Sequence, residues 1–212
     1  VFVMGISAFY LLKKQDLPFA RRSFKISALF GFFASIAVII MGDQSGLYVY
    51  HAQPSKLVAI EGVWHTENAP VGRSVLAWPD QKTHSNLFDV KIPYIGSLIL
   101  THDFTTDVKG ADEIIAENKV KIVQGQQVLL QLEQFRKNPH DTSLVAQIQA
   151  NSEYLGYGLL LKRYTDDLNN VTPQMIDQAA ESTIPNMLPL YYSFRIMAFL
   201  GASFFVLFGI AT

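Results

Sequence analysis

The sequence predicts a mainly α protein, a polytopic α-helical membrane protein fragment with a long, partly helical periplasmic loop. Three observations lead there. Ile26–Met41 is a run of 16 residues without a charge, rich in Phe and Ile. Ile184–Thr212 is apolar apart from Arg195. Charge is also unevenly placed: Lys13, Lys14, Arg21, Arg22 and Lys25 stand against Asp16 alone, whereas residues 43–183 carry 11 basic and 17 acidic side chains.

Composition agrees. Of 212 residues half are apolar, 12% aromatic and 17% charged, with a mean hydropathy of +0.19, against about 25% charged in an ordinary soluble domain. Such a chain is neither disordered nor a disulfide-stapled scaffold. The formal net charge of −1 provides no basic surface, so no nucleic acid partner is expected. The absence of cysteine excludes disulfides, thiolate metal sites, thiol nucleophiles and covalent c-type haem attachment.

The elements follow in order. Residues 1–12 are apolar but too short to span, and read as the end of a transmembrane helix. Residues 13–25 read as a short cytoplasmic loop by the positive-inside rule. Residues 26–42 read as a transmembrane helix. A span needs roughly 17–25 residues to cross a ~30 Å hydrocarbon core, and with Phe24, a snorkelling Lys25 and Gly42 this segment reaches that length. The plainer alternative is a buried helix of a soluble core, but apolarity on every face suits lipid better than one core-facing stripe. Residues 43–183 then lie on the opposite, periplasmic side, and 184–212 begin the next transmembrane helix. Val1 and Thr212 both fall inside apolar runs, which predicts a piece of a larger membrane protein.

Within the long segment, Pro54, Pro70, Pro79 and Pro93 predict loop with short extended pieces over 44–106. Ile115, Ile122, Leu129 and Leu132 recur at helical spacing between Ala111 and Phe135, with Asp112 and Glu113 at the start and Arg136 and Lys137 at the end. Asn138-Pro139 ends that helix. A second helix is expected from Ser143 to about Tyr164, and a third from Thr172-Pro173, with Thr172 as N-cap and Pro173 in the first helical position.

Few side chains suggest chemistry. The histidines His51, His65, His84, His102 and His140 lie outside the apolar spans, with no pair at helical metal-binding spacing, and read as exposed polar residues. Arg195 sits eleven residues into an apolar run, where a charge costs ~2.5–3.5 kcal/mol at mid-depth. It either snorkels or pairs with a buried anion, a carboxylate or a haem propionate. Met197 offers a soft thioether to a haem iron, although a lone Met in an apolar helix is more often packing. Lys56 and Glu61 bracket an apolar run just beyond the second span. Five residues apart they differ by about 140° around a helix, so they are either two solvated charges or a cation and a carboxylate facing an amphiphile at the bilayer surface. Asp43 sits at the same interface. On these residues alone a membrane sensor, with a periplasmic ligand-binding domain between two transmembrane helices, remains open, as does a structural subunit without a cofactor.

Four segments occur in order: Gly42-Asp43-Gln44-Ser45-Gly46, Lys56-Leu57-Val58-Ala59-Ile60-Glu61, the run from Leu155-Gly156-Tyr157-Gly158 to Lys162-Arg163-Tyr164, and Phe194-Arg195-Ile196-Met197. Together they resemble subunit I of the cytochrome bd-type quinol oxidases, over the whole chain. The resemblance implies a bacterial inner-membrane quinol:oxygen oxidoreductase that oxidises ubiquinol or menaquinol at the periplasmic face and reduces dioxygen to water. It implies one low-spin haem b contacted by this fragment, and further b-type and d-type haems in the intact subunit. It also implies a second oxidase subunit, small accessory subunits and surrounding lipid as partners. By the same resemblance Lys56, Glu61 and Asp43 are quinol-binding, Met197 is an axial ligand of the low-spin haem and Arg195 belongs to its environment. The partner histidine would lie upstream of Val1.

Overall fold

The computed structural model describes residues 1–139 and 142–212, with the side chain of Thr142 left aside. The chain is mainly helical with one hairpin. It runs α1 (Phe2–Leu12), α2 (Leu17–Ala52), α3 (Pro54–Glu61), β1 (Arg73–Asp80), β2 (Ser85–Ile92), α4 (Ala111–Lys137), α5 (Thr142–Ala150), α6 (Leu155–Leu159), α7 (Pro173–Glu181) and α8 (Met187–Ala211).

Helix α2 corrects two boundaries. The loop expected over 13–25 contracts to Lys13–Asp16, where Lys14 and Asp16 take positive φ. Pro18 lies in the first turn, where its fixed φ suits a helix start, so Arg21, Arg22 and Lys25 ride on α2 itself. At the other end α2 continues past Asp43 to Ala52. Its 36 residues are about 54 Å long at ~1.5 Å per residue, well beyond a ~30 Å apolar core. Hydropathy falls after Met41 while the helix continues. What ends α2 is Pro54, which disfavours helical backbone at Gln53 (φ −141°) and restarts the chain as the first residue of α3.

The proline-rich stretch is therefore only partly extended. Its strands are β1 and β2, an antiparallel hairpin in which Arg73 faces Ile92 and Asp80 faces Ser85. The register shifts between Ala77 and Pro79, where proline lacks the N–H a regular ladder needs. A π-helical turn, Ser97–Thr101, follows.

Helix α4 stands where its periodicity places it, with Asp112 and Glu113 in its first turn and Arg136 and Lys137 in its last. Thr172 caps α7, its hydroxyl accepting from the Met175 amide at 3.4 Å. The single helix expected over 143–164 is instead broken at Asn151 into α5, a 3₁₀ turn, α6 and a second 3₁₀ turn. The cause is a close approach. A Cβ on Gly125 of α4 would lie 2.3 Å from the Tyr154 carbonyl oxygen, and one on Gly158 of α6 would lie 2.3 Å from that of Gly125. Backbones this near need glycine on both sides and a chain free to bend toward α4.

The main core joins α3, α4, α7 and the start of α8 through residues such as Val58, Ile114, Ile122, Leu161, Ala180 and Met187. A separate cluster of Met4, Ala28 and Phe208 ties α1, α2 and α8, and Phe32 stacks on Phe205 with ring centroids 5.4 Å apart. Helices α2 and α8 are each long and apolar enough to cross a membrane, and only 6% of their apolar windows is buried within the chain.

Candidate functional site at the junction of α3, β1 and α8

Glu61 is the last residue of α3, and Gly62 (φ +72°) turns the chain away behind it. Its carboxylate is buried. Oε1 accepts from Arg73 Nη2 at 3.2 Å and Oε2 from Arg195 Nη2 at 2.8 Å. Helix α8 thus reaches the hairpin through an acid at the end of α3. The same Arg195 Nη2 donates to the Ser74 carbonyl at 2.7 Å, and the guanidinium lies 4.5 Å from the centroid of the fully buried Tyr191 ring. Ser74 Oγ and the Tyr191 hydroxyl are 3.0 Å apart, and the Tyr192 hydroxyl donates to the Ala77 carbonyl. Burial pushes the Arg73 guanidinium below its ordinary value; Glu61 opposes that shift and Arg195 adds to it. Arg195 Nε and Nη1 are buried and have no partner among the described residues.

From the residues alone Lys56 and Glu61 are two solvated charges or a cation and a carboxylate facing one amphiphile, and the resemblance implies that both bind quinol. The structure separates them. Lys56 is exposed and lines a cavity of about 600 Å³ between the α2–α3 junction, α4 and the start of α8, to whose lining Glu61 does not belong. Gln53, Asn118, Tyr157 and Thr183 supply its polar lining, while Ile114 and Leu190 supply apolar wall. Asn118 is buried and donates to the Thr183 hydroxyl at 2.9 Å, and Lys121 lies 5.5 Å from the Tyr157 ring centroid. Among the described residues no ion pair is formed by Lys56, and Glu117 on the cavity wall is engaged by Lys109.

Asp43 meets His102 instead, at 3.0 Å between Oδ1 and Nε2. Met197 lies on the outer side of α8 and is 60% exposed. Two residues from Arg195, it points about 200° away around the helix. No group of three or more His, Asp or Glu among the described residues is disposed to hold a metal. The thioether of Met197 is a soft donor of the kind that suits a haem iron.

The histidines are more engaged than expected. His65 and His84 both contact Asp112, at 2.9 and 2.8 Å, and His84 is half-buried and stacked on Trp64. His51 packs edge-on against Tyr50; His140 lies outside the described residues. Sequence reasoning missed Arg73, Ser74 and Tyr191. An arginine opening a strand carries no mark of its buried acid; of this cluster, the sequence had singled out Glu61 and the out-of-place charge of Arg195.

Comparison with known proteins places these features in context. The profile described as cytochrome bd terminal oxidase subunit I matches residues 1–212. A cytochrome bd-II ubiquinol oxidase subunit 1 from Escherichia coli (strain K12) is 36% identical over 202 residues, covering 95% of this chain and 39% of that protein. A cytochrome bd ubiquinol oxidase subunit 1 from Bacillus subtilis (strain 168) is 34% identical over 116 residues, covering 55% of this chain and 25% of that protein. The bd oxidase structure from Geobacillus thermodenitrificans superposes with a TM-score of 0.47 at 17% identity, covering 98% of this chain and 53% of that one. The chain thus spans about two fifths of the length of the Escherichia coli relative.

Proposed function

The chain belongs to the cytochrome bd terminal oxidase subunit I family, and on that premise we propose that it forms the quinol-oxidising part of a bacterial inner-membrane quinol:oxygen oxidoreductase. The sensor reading loses its ground, because the family profile accounts for the whole chain. Helix α1, the apolar part of α2 and helix α8 lie in the membrane, residues 43–183, including the last turns of α2, face the periplasm, and a second oxidase subunit with small accessory subunits packs against the exposed faces of α2 and α8. The charge bias around Lys13–Lys25 supports that orientation.

The observation that carries the reading is the cavity at Lys56. Its volume of about 600 Å³ falls within the roughly 300–1,000 Å³ of small-molecule sites, and it opens where α2 gives way to α3. A ubiquinol or menaquinol ring fits its mixed lining. The Lys56 ammonium donates to a ring oxygen, Tyr157 and Leu190 pack the ring, and Asn118 is held in place by Thr183. A positive charge beside the ring favours the ionised quinol and so eases loss of its proton. Asp43, paired with His102, stands on α2 outside the lining of this cavity, so in this reading it does not contact the ring.

Glu61 acts at one remove in this scheme. With both oxygens held by arginines, it positions α8 against the loop rather than contacting the ring. When bound, a low-spin haem b supplies the electron acceptor, with further b-type and d-type haems of the intact subunit carrying out dioxygen reduction to water. Met197 would hold that haem on one side, and Arg195 forms part of its environment from the opposite side of α8.

Lys56→Ala in the intact complex tests the cavity. The expected result is a KM for quinol raised about tenfold or more, with an unchanged reduced haem spectrum. Parental quinol kinetics would return Lys56 to the status of a solvated surface charge.

A further inference from the structure

Glu61 faces two guanidiniums, not one. Arg195 alone would neutralise it, with its Nη2 at 2.8 Å from Oε2. Arg73 adds a second cation at 3.2 Å on Oε1, so the cluster carries one positive charge more than it needs. That excess sits in a poorly solvated place. The Glu61 side chain is 4% exposed, and those of Arg73 and Arg195 are 16% and 15% exposed. Tyr191 and Phe194 cover the guanidiniums with ring faces. Arg73 is fixed there by its position as first residue of β1, whose neighbour Ser74 is bound to both Arg195 and Tyr191. Directly across α8 from this cluster is the thioether of Met197.

We infer that Arg73 is a positioning residue of the electron-accepting site: it leaves the Arg73–Glu61–Arg195 cluster with one uncompensated positive charge behind Met197, and so favours the reduced form of the group ligated there. This rests on the proposed ligation of a haem by Met197. A haem held at Met197 would lose one unit of positive charge on accepting an electron from quinol. A fixed positive charge nearby opposes the ferric state more than the ferrous. Acting across about one helix diameter through an effective dielectric of about 20, one charge is worth about a tenfold change in that equilibrium, or about 59 mV for one electron. Arg73 touches neither quinol nor iron in this account; it works only through charge. Its value to the reaction is directional, because a higher acceptor potential draws electrons from quinol.

The test is a redox titration of the low-spin haem in the intact complex. Arg73→Gln, which keeps a polar side chain but removes the charge, should lower the midpoint by an amount equivalent to about a tenfold shift toward the ferric form. Arg73→Lys should keep the midpoint within about a twofold equivalent of the parent. Glu61→Gln, nearly isosteric, should move it the other way, toward the ferrous form. That opposite sign is something structural damage does not produce, and it carries the test by itself if Arg73→Gln fails to accumulate. An unmoved midpoint in Arg73→Gln, or a fall in Glu61→Gln, overturns the role assigned to Arg73. Met197→Leu separates this from the underlying reading. A lost or high-spin haem in Met197→Leu together with an unmoved Arg73→Gln midpoint overturns the inference alone. An unaltered low-spin spectrum in Met197→Leu overturns the ligation and the inference together.

Discussion

Glu61→Ala tests the architecture of the junction most directly. The substitution removes the carboxylate that Arg73 and Arg195 share, and their side chains are 16% and 15% exposed. Removing one partner of a buried ion pair costs about 3–5 kcal/mol, because the remaining charge stays desolvated without compensation. Arg195 is doubly exposed to that penalty, since its Nε and Nη1 already have no partner among the described residues. Two features hold the cost toward the low end of the range: Arg195 keeps its bond to the Ser74 carbonyl, and the small residual exposure admits some water. About 3 kcal/mol is expected, roughly a hundredfold in the folded-to-unfolded ratio. The assay is the thermal midpoint of the detergent-solubilised complex, read for Glu61→Ala, Arg73→Ala and the double variant. Side chains in one network couple by about 0.5–3 kcal/mol, and here the double variant should be less destabilised than the sum of the two single ones. Strict additivity within about 0.5 kcal/mol would mean that Arg73 and Glu61 do not share a buried charge, and the reasoning would fail.

Other outcomes follow from different parts of the fold. Gly125→Ala places a methyl group 2.3 Å from the Tyr154 carbonyl oxygen and 2.4 Å from the Gly158 amide nitrogen, so α6 must detach from α4. Limited proteolysis should then cut the 151–164 region faster, and equal resistance would show that the backbones have room to part. The Asp103 carboxyl is held below the ordinary carboxylate range, first by the Thr106 hydroxyl and then by the Thr105 amide and hydroxyl. With its folded value depressed, its contribution is full above the unfolded value of about 3.9 and is lost as pH falls through the folded one. Amide protection at Thr105 should therefore drop on acidification in the parent but not in Asp103→Asn, and identical profiles would refute the assignment. Protease added to intact spheroplasts should cleave between Pro70 and Pro93, whereas cleavage at Lys13–Arg22 with that stretch protected would reverse the topology.

Parts of this were legible in the residues. The caps and period of α4 and the Thr172-Pro173 start of α7 were readable because local interactions settle them: charges against the helix dipole, a hydroxyl on an amide, a proline where no donor is needed. The extent of α2 was not, since helix continuation is a backbone matter and hydropathy reports only the surrounding medium. The break at Asn151 was hidden because its cause, Gly125, lies 26 residues away on another helix. The site divided in the same manner. Arg195 and Met197 drew notice through their chemistry within an apolar run, but nothing near Arg73 marked it, and the resemblance implied a shared quinol role for Lys56 and Glu61, whose surroundings the fold separates.

By itself the sequence determined the hydropathy of each segment, the charge asymmetry between residues 13–25 and 43–183, and the motifs that carry family membership, because these depend on residue type and order alone. Only the tertiary structure decided that Glu61 belongs with Arg73 and Arg195 while Lys56 opens onto a cavity. The physical reason is helical geometry combined with long-range closure. Lys56 and Glu61 leave α3 on different sides, and a buried carboxylate takes whichever cations the folded chain brings within reach. Those came from positions 12 residues and 134 residues further along the chain, and no local pattern records such distances.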